Sequence, residues 1–444
     1  MIRVCLAVAL LVPSAAMAQG NPGPFGKLFG RAPASTGTDQ TSLDVRADVG
    51  GQYYDSLLES NDDGLIGSFD RPAQSGFGSG VGASILFDHL TTRWKATLGG
   101  GVARGQYFDA PTPTDVATVT PSGAGEFNGH GNVHAKLSTR FEAGAAASYS
   151  HSPYFSIFQD FGRTPNFADD TLLPVAPYAV RSLTTETLDA SGTFTTRITE
   201  RSTLELFTSH NQTRFSEQPD NDLVANGYRA TWSWQIQRGL GVHAAYGQSH
   251  IDQRGDGRTD YERALIDIGV DYNRQFSIAR RTTIGFRAAT SLLRDSHDES
   301  RFRVNGGVNL SKQFRRTWSL TIDASRETSF IPGFFEPLFS NNVGIFLGGM
   351  FTKRLDWTMS ASAGQGTSAF SSNSGFRTAA AASRLSFALG KHLSAYGQYI
   401  AYWYELPRDS ITFGIPLPSR SARQVVAVGL SLYLPVYQNT RPSR

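Results

Sequence analysis

Apolar and polar residues alternate along most of this chain. In YERALIDIGVDYN, residues 261–273, Ala264, Ile266, Ile268, Val270 and Tyr272 fall on one face, and Arg263, Asp267, Asp271 and Asn273 on the other. Residues 283–293 set Ile284, Phe286, Ala288, Thr290 and Leu292 against Thr283, Arg287 and Ser291. Residues 301–310 set Phe302, Val304, Val308 and Leu310 against Arg301, Arg303, Asn305 and Asn309. Residues 317–326 set Trp318, Leu320, Ile322 and Ala324 against Thr321, Asp323 and Ser325. A period of two is that of a β-strand with one apolar and one polar face.

This reading predicts about eighteen strands, near 41–54, 77–88, 93–108, 126–137, 140–151, 184–198, 202–215, 226–237, 239–251, 261–274, 282–293, 301–311, 317–326, 342–352, 355–366, 376–389, 392–404 and 423–434. Most are long enough to cross a bilayer at the usual tilt, which takes about 9–11 residues. Their connections alternate in length. Short basic ones fall at Thr92-Arg93, Thr139-Arg140, Glu200-Arg201, Gln237-Arg238, Arg280-Arg281, Arg315-Arg316, Lys353-Arg354 and Lys391-His392, and long ones at 152–183, 327–341 and 405–422. Short periplasmic turns and longer outer loops mark a transmembrane barrel. The uneven spacing of the basic turns does not fit a propeller or solenoid.

Aromatics flank the turns. LTTRWKATLGGG, LSTRFEAGAAASYS and FTKRLDWTMSAS share a basic turn followed by an aromatic and a run of small and apolar residues. Trp94, Phe141, Trp318 and Trp357 sit after such turns, with Trp232 and Trp234 just before one. Tyr53, Tyr107, Phe108, Tyr149, Tyr246, Tyr261, Trp403 and Tyr404 form a second set near the other strand ends. Two aromatic girdles around an apolar band suit a membrane with two interfaces. Ala143, Ala145 and Ala147 suit either face. Unpaired backbone groups are excluded from lipid, so such a sheet must close. The expected fold is an all-β, antiparallel, up-and-down transmembrane barrel spanning 41–434, with both termini periplasmic and a C-terminal tail at 435–444.

The N-terminus gives the compartment. MIRVCLAVALLVPSAAMAQG has an early Arg3, a short apolar run and a small-x-small site at Ala16-Met17-Ala18, so residues 1–18 read as a secretory signal peptide. Residues 19–40, rich in Gly and Pro, read as a flexible periplasmic lead-in. Cys5 is the single cysteine and leaves with the signal, so no disulfide or thiolate site is expected afterwards. Net charge is +3, which with export argues against a nucleic-acid partner. A mean hydropathy of −0.27 still suits a membrane protein when the apolar residues alternate.

The motifs LSTRFEAGAAASYS and LGKHLSAYGQYIAYWY, repeated in kind along nearly the whole chain after the signal, resemble those of outer-membrane β-barrel porin families of Gram-negative bacteria, especially barrels of unknown cargo. That resemblance implies an outer-membrane location, contact with outer-membrane lipid and lipopolysaccharide, and passive diffusion of small solutes. The chain departs from the pattern in lacking a terminal aromatic: VVAVGLSLYLP is followed by VYQNTRPSR, leaving Tyr433 or Tyr437 to serve. No plug-sized N-terminal domain is present, which disfavours a TonB-dependent transporter. A barrel component of an export system, for example for polysaccharide, with a periplasmic partner, and a structural or adhesive barrel with a blocked lumen are the other two functional readings.

Candidate chemistry is sparse. His130 and His134 share a face but stand over ~13 Å apart in a strand, too far to share one ion. The Asn61–Gly64 and Asp252–Asp260 clusters lack regular calcium-ligand spacing and suit turns. Arg254-Gly255-Asp256 is explained by the same turn preference. Ser150-His151 and Ser209-His210 are adjacent pairs whose members point to opposite faces, which does not make a nucleophile and its base. No enzyme activity, cofactor or metal is expected. Asp267, Asp271, Arg287, Arg303 and Asp323 are expected to line the lumen as one network. The connection 152–183 carries Asp160, Arg163, Asp169, Asp170 and Arg181 and several aromatics, and is expected to constrict the pore, with folding over the barrel mouth or contacting a partner as the alternatives.

Overall fold

The computed structural model describes residues 38–60, 75–108, 125–152, 184–216, 222–237, 239–253, 259–272, 282–294, 299–314, 317–329, 337–368, 375–405 and 420–442, with short pieces at 274–275, 411–412 and 415–416. No helix occurs among them. Eighteen strands make the wall. They are β1 (Thr38–Ser60), β2 (Ser75–Leu90), β3 (Trp94–Phe108), β4 (Gly125–Lys136), β5 (Phe141–Ser152), β6 (Thr185–Arg197), β7 (Ser202–Phe215), β8 (Leu223–Gln237) and β9 (Leu240–Gln253). There follow β10 (Thr259–Tyr272), β11 (Thr282–Arg294), β12 (Ser300–Phe314), β13 (Trp318–Ser329), β14 (Leu338–Thr352), β15 (Leu355–Ser368), β16 (Gly375–Ala388), β17 (Leu393–Glu405) and β18 (Arg420–Pro442).

Each strand pairs antiparallel with its chain neighbours, and β1 pairs with β18 from Thr38↔Pro442 to Ser60↔Arg420, which closes the barrel. β18 runs on through Pro442, so residues 435–442 belong to the wall and not to a tail. A bulge beside Leu43/Asp44 restores the facing after Val436, so that Tyr437 sits opposite Leu43. Tyr437 is exposed on the outer face, whereas Tyr433 lies opposite Arg46 on the inner one. Residues 1–18 and the lead-in as far as 37 lie outside the described residues.

The turns explain the repeated hydroxyl-x-Arg motif. Thr91 Oγ1 accepts from the Arg93 and Trp94 amides at 3.3 and 2.8 Å. Ser138 Oγ does the same for Arg140 and Phe141, both at 3.1 Å, and Thr352 Oγ1 for Arg354 and Leu355 at 3.2 and 3.1 Å. A serine or threonine hydroxyl folds back on the amides that a tight turn leaves open. The arginine carbonyl then reaches the following hairpin: Lys136 N donates to Arg93 O, Arg197 N to Arg140 O, and Ala388 N to Arg354 O, each at 2.8 Å. The motif therefore closes one hairpin and fastens it to the next.

The two faces separate cleanly. Val49, Val81, Val102, Ile266, Ile268, Val304, Val308, Val343 and Val428 are exposed on the outer face. Asp48, Asp267, His243, Asn342, Arg384 and Ser431 are buried on the inner one. An exposed apolar exterior over a polar interior inverts a soluble barrel and suits lipid outside. Ala143, Ala145 and Ala147 take the outer face with Phe141 and Tyr149, leaving Gly144, Ala146 and Ser148 inside.

Candidate functional site: the inner wall

The aromatic girdles define how the wall stands in a bilayer. At the turn end, Trp318, Phe351 and Trp357 form an outward cluster with ring centroids 5.0–5.9 Å apart. Their indole N–H groups are satisfied, Trp318 Nε1 by Met350 O at 3.1 Å and Trp357 Nε1 by Ser383 Oγ at 2.9 Å. Phe141 stacks on Phe194 at 6.0 Å, and Trp94 is exposed. At the loop end Tyr246 is exposed and Trp403 half-buried, both outward. The side chain of Tyr107 lies outside the described ones. Tyr261 and Tyr404 correct the sequence reading: both are buried on the inner face. Tyr404 follows Trp403, and strand neighbours cannot both face lipid.

Among the described inner residues, two clusters of charge stand out. In the first, Asp267 on β10 receives Arg229 Nη2 from β8 at 2.6 Å and meets His243 Nε2 from β9 at 3.1 Å. Its side chain is 1% exposed. Arg287 on β11 and Glu205 on β7 complete this electrostatic neighbourhood. The local wall is irregular there. β10 pairs with β11 from Glu262↔Arg294 to Ile266↔Thr290, and pairing resumes in a shifted register at Arg274↔Ile284. The second cluster joins β1, β16, β17 and β18. Arg46 Nε lies 2.8 Å from Asp48 Oδ2, Ser431 Oγ donates to Asp48, and the Arg384 guanidinium lies 4.2 Å from the Tyr396 ring centroid.

The five charges singled out from the sequence are thus treated differently. Asp267 and Arg287 share the first cluster. Arg303 instead lies 5.1 Å over the ring of Phe339. Asp323 sits opposite Asn309 with its carboxylate beside Gly344. Arg303 and the partner of Asp323 are separated along β12 from 303 to 309, about 20 Å of strand, so the expectation of one compact network is corrected to a spread. The side chain of Asp271 lies outside the described ones, as do all of Asp160, Arg163, Asp169, Asp170 and Arg181. Arg229, His243, Arg46, Asp48 and Arg384 were missed. Alternation alone would have found them: Arg229 lies between the outward Tyr228 and Ala230.

The remaining candidates are placed plainly. His130 and His134 both face inward; His130 covers Gly99, and His134 Nε2 is 3.6 Å from Glu142 Oε2. Ser150 faces inward while His151 faces outward, stacked on Phe127 at 4.7 Å. His210 faces outward and contacts Asn226 at 2.7 Å.

The inner wall is uneven. Along β14 to β18 and β1 its residues are largely buried, and on β16 and β17 they are large, among them Phe376, Arg384, Tyr396, Tyr402 and Tyr404. Along β3, β5 and β6 many are small, among them Gly99, Gly101, Ala146, Ser148 and Ser191, while β4 between them presents the more exposed Asn128, His130 and Asn132. The inner face is thus more exposed along β3–β6 than along β16 and β17.

Closure, an apolar exterior, two aromatic levels and a polar interior define a membrane-spanning β-barrel. No protein-family model matches the chain, and no curated protein does. Among solved structures the chain is similar to OccAB2 of Acinetobacter baumannii, with TM-score 0.44, 12% identity, and 89% of this chain and 98% of that one covered. It is similar to OccK2 (OpdF) of Pseudomonas aeruginosa in complex with glucuronate, with TM-score 0.43, 8% identity, and 89% and 98% covered. The siderophore receptor PirA of A. baumannii also matches, with TM-score 0.37, 8% identity, and 87% and 80% covered.

Proposed function

We propose that the protein is an outer-membrane channel through which small hydrophilic solutes diffuse passively, delivered there by cleavage of the N-terminal signal near Ala18. The observation that carries this reading is the closed wall of eighteen strands with a polar inner face. At that size a barrel encloses an aqueous lumen unless something fills it. The short turns are assigned to the periplasm and the long connections to the outside, in keeping with the usual asymmetry of such barrels. Solutes would pass beside β3–β6, where the inner residues are small. The clustered Arg229, Asp267, Arg46 and Asp48 would set the potential along the walls flanking it, since lumen charges govern which ions enter.

The test is single-channel recording of the refolded full chain in a planar bilayer. Discrete, ohmic conductance steps are expected, with a measurable anion-to-cation ratio. A correctly folded barrel that gives no conductance refutes the channel reading and favours a blocked, structural barrel.

A further inference from the structure

Among the described residues, one seam of the wall is interrupted between its ends. From Ile266↔Thr290 to Arg274↔Ile284, β10 takes eight steps and β11 takes six. Residues 267–272 and 285–289 have no ladder partner across that seam. Their other sides are regular. β9 pairs with β10 down to Tyr272↔Leu240, and β12 pairs with β11 from Thr282↔Lys312 to Arg294↔Ser300. The interruption falls between the two aromatic levels: Ile266 lies in the row of Tyr246, and Val270 in the row of Val242 and Trp234. At its loop-end edge, Thr290 Oγ1 donates to the Ile266 carbonyl at 2.7 Å, a side chain bonding where the ladder stops.

The seam divides two chemistries. On the lipid side stand the exposed Ile268, Val270 and Phe286. On the lumen side stand Asp267, with Arg229 and His243 bonded to it, and Arg287. The His243 ring lies directly against Gly269, where a Cβ would collide with it. Arg287 Nη1 is buried and has no hydrogen-bond partner, although buried polar atoms are nearly always paired. Strands within lipid are held to one another by their ladder, since no water is there to replace it. Where the rungs are missing, side-chain contacts alone hold β10 against β11, so the wall parts most readily here.

We infer that this seam is a lateral portal, through which a single-chain amphiphile with an anionic head passes between the lumen and the bilayer. Arg287 receives the head, because a guanidinium binds anionic oxygens through charge-assisted hydrogen bonds. Asp267 takes its hydrogen bonds from Arg229 and His243, which leaves Arg287 Nη1 to the ligand. The tail lies along Ile268, Val270 and Phe286. The seam rejoins at both ends, which makes it a slit between strands ordinarily about 4.8 Å apart. That shape suits one alkyl chain rather than the paired chains of a phospholipid. The portal goes beyond passive diffusion of hydrophilic solutes and takes from the channel reading only its open lumen.

The test uses the full chain with Cys5→Ser, which removes its single native thiol. Ile268→Cys and Ala288→Cys are added on the outer face across the seam, and the barrel is refolded into phosphatidylcholine vesicles. A short bifunctional thiol reagent with a cleavable link staples the pair. The vesicles carry dodecyl sulfonate in both leaflets, and albumin outside extracts it. The unstapled barrel should make the inner-leaflet pool extractable at least about tenfold faster than protein-free vesicles do, as opening of a path for the charged head predicts. Stapling should remove the acceleration, and cleaving the staple should restore it. Dodecyltrimethylammonium and phosphatidylglycerol should not be accelerated. If the double variant fails to fold, Arg287→Gln alone should slow extraction about tenfold, with Arg287→Lys slowing it less, as loss of a charge-assisted bond predicts. Extraction that ignores both the staple and Arg287→Gln overturns the portal, and equal acceleration of phosphatidylglycerol overturns its restriction to single chains. Single-channel conductance of the same stapled barrel tells the two readings apart. Conductance with staple-insensitive extraction is a failure of the portal alone, whereas a folded barrel without conductance is a failure of the channel reading.

Discussion

The arc β14–β18 with β1 and the arc β3–β6 look alike from outside and differ inside. Both present Val, Ala, Leu and aromatic residues to the exterior in strict alternation. Inside the first, Phe376, Arg384, Tyr396, Tyr402 and Tyr404 are buried, with Arg384 over the Tyr396 ring and Ser431 bonded to Asp48. Inside the second, Gly99, Gly101, Ala146 and Ser191 leave the wall thin. Lipid imposes one requirement on the outer face everywhere. The inner face is free to be filled on one side and cleared on the other, and that division shapes the aqueous path.

The sharpest way to break this comparison is to remove matched aspartates. Asp48, with a side chain 0% exposed against Arg46, should cost about 3–5 kcal/mol when changed to Ala, because a buried guanidinium loses its counter-charge. Asp189 in the thin arc, which accepts from Asn211 at 2.6 Å but is only half-buried, should cost about 1 kcal/mol or less as Asp189→Ala. Guanidinium unfolding of both variants in lipid vesicles measures the difference; equal losses would mean the two arcs are not energetically distinct.

The common outside is tested next. Ile268, 72% exposed, should destabilise the barrel by about 2–4 kcal/mol as Ile268→Arg if it lies near the midplane, whereas the inward Thr321→Asn should be mild. The same unfolding assay in vesicles reports it, and a mild Ile268→Arg would place that face away from lipid.

Filling each arc sharpens the contrast further. Ala146→Trp should fold and lower single-channel conductance by roughly tens of per cent, since pore radius governs conduction. Gln398→Trp, in the packed arc, should instead cost about 1–3 kcal/mol through overcrowding, with little change in conductance. Conductance that falls only for Gln398→Trp would put the open path on the wrong side.

The smallest effect belongs to the turns. Ser138→Ala removes two exposed amide-to-hydroxyl bonds and should cost about 0.5–1 kcal/mol, seen as a small shift in the unfolding midpoint.

Much of this was legible in the sequence. Alternation is a direct record of facing, so the strands, their number and the side on which Ile268 or Asp267 lies follow from a period of two. Tyr404 and Tyr261 were misassigned because residue type was allowed to override that period. The relative heights of Asp267, Arg287, Arg303 and Asp323 were not legible for a different reason. Facing says nothing of height along the wall, which depends on register and on irregularities such as the one between β10 and β11. Nor does the sequence tell a packed inner face from an open one, since Asp48 and Asp189 have the same residue type and the same facing. The end of β18 was placed short because Pro435 reads as a strand terminator, yet it lies beside a bulge where the ladder tolerates it.

The closing seam has a consequence for how the chain finds its shape. Among the described residues every pairing joins chain neighbours except that of β1 with β18, whose Ser431–Asp48 bond links positions 383 residues apart. The cost of long-range loop closure is therefore concentrated in one contact between the two longest strands. The wall behaves as a string of self-contained hairpins held by a single clasp. A chain with one interior hairpin excised keeps both halves of that clasp intact, so a narrower barrel of the same construction remains within reach of this sequence.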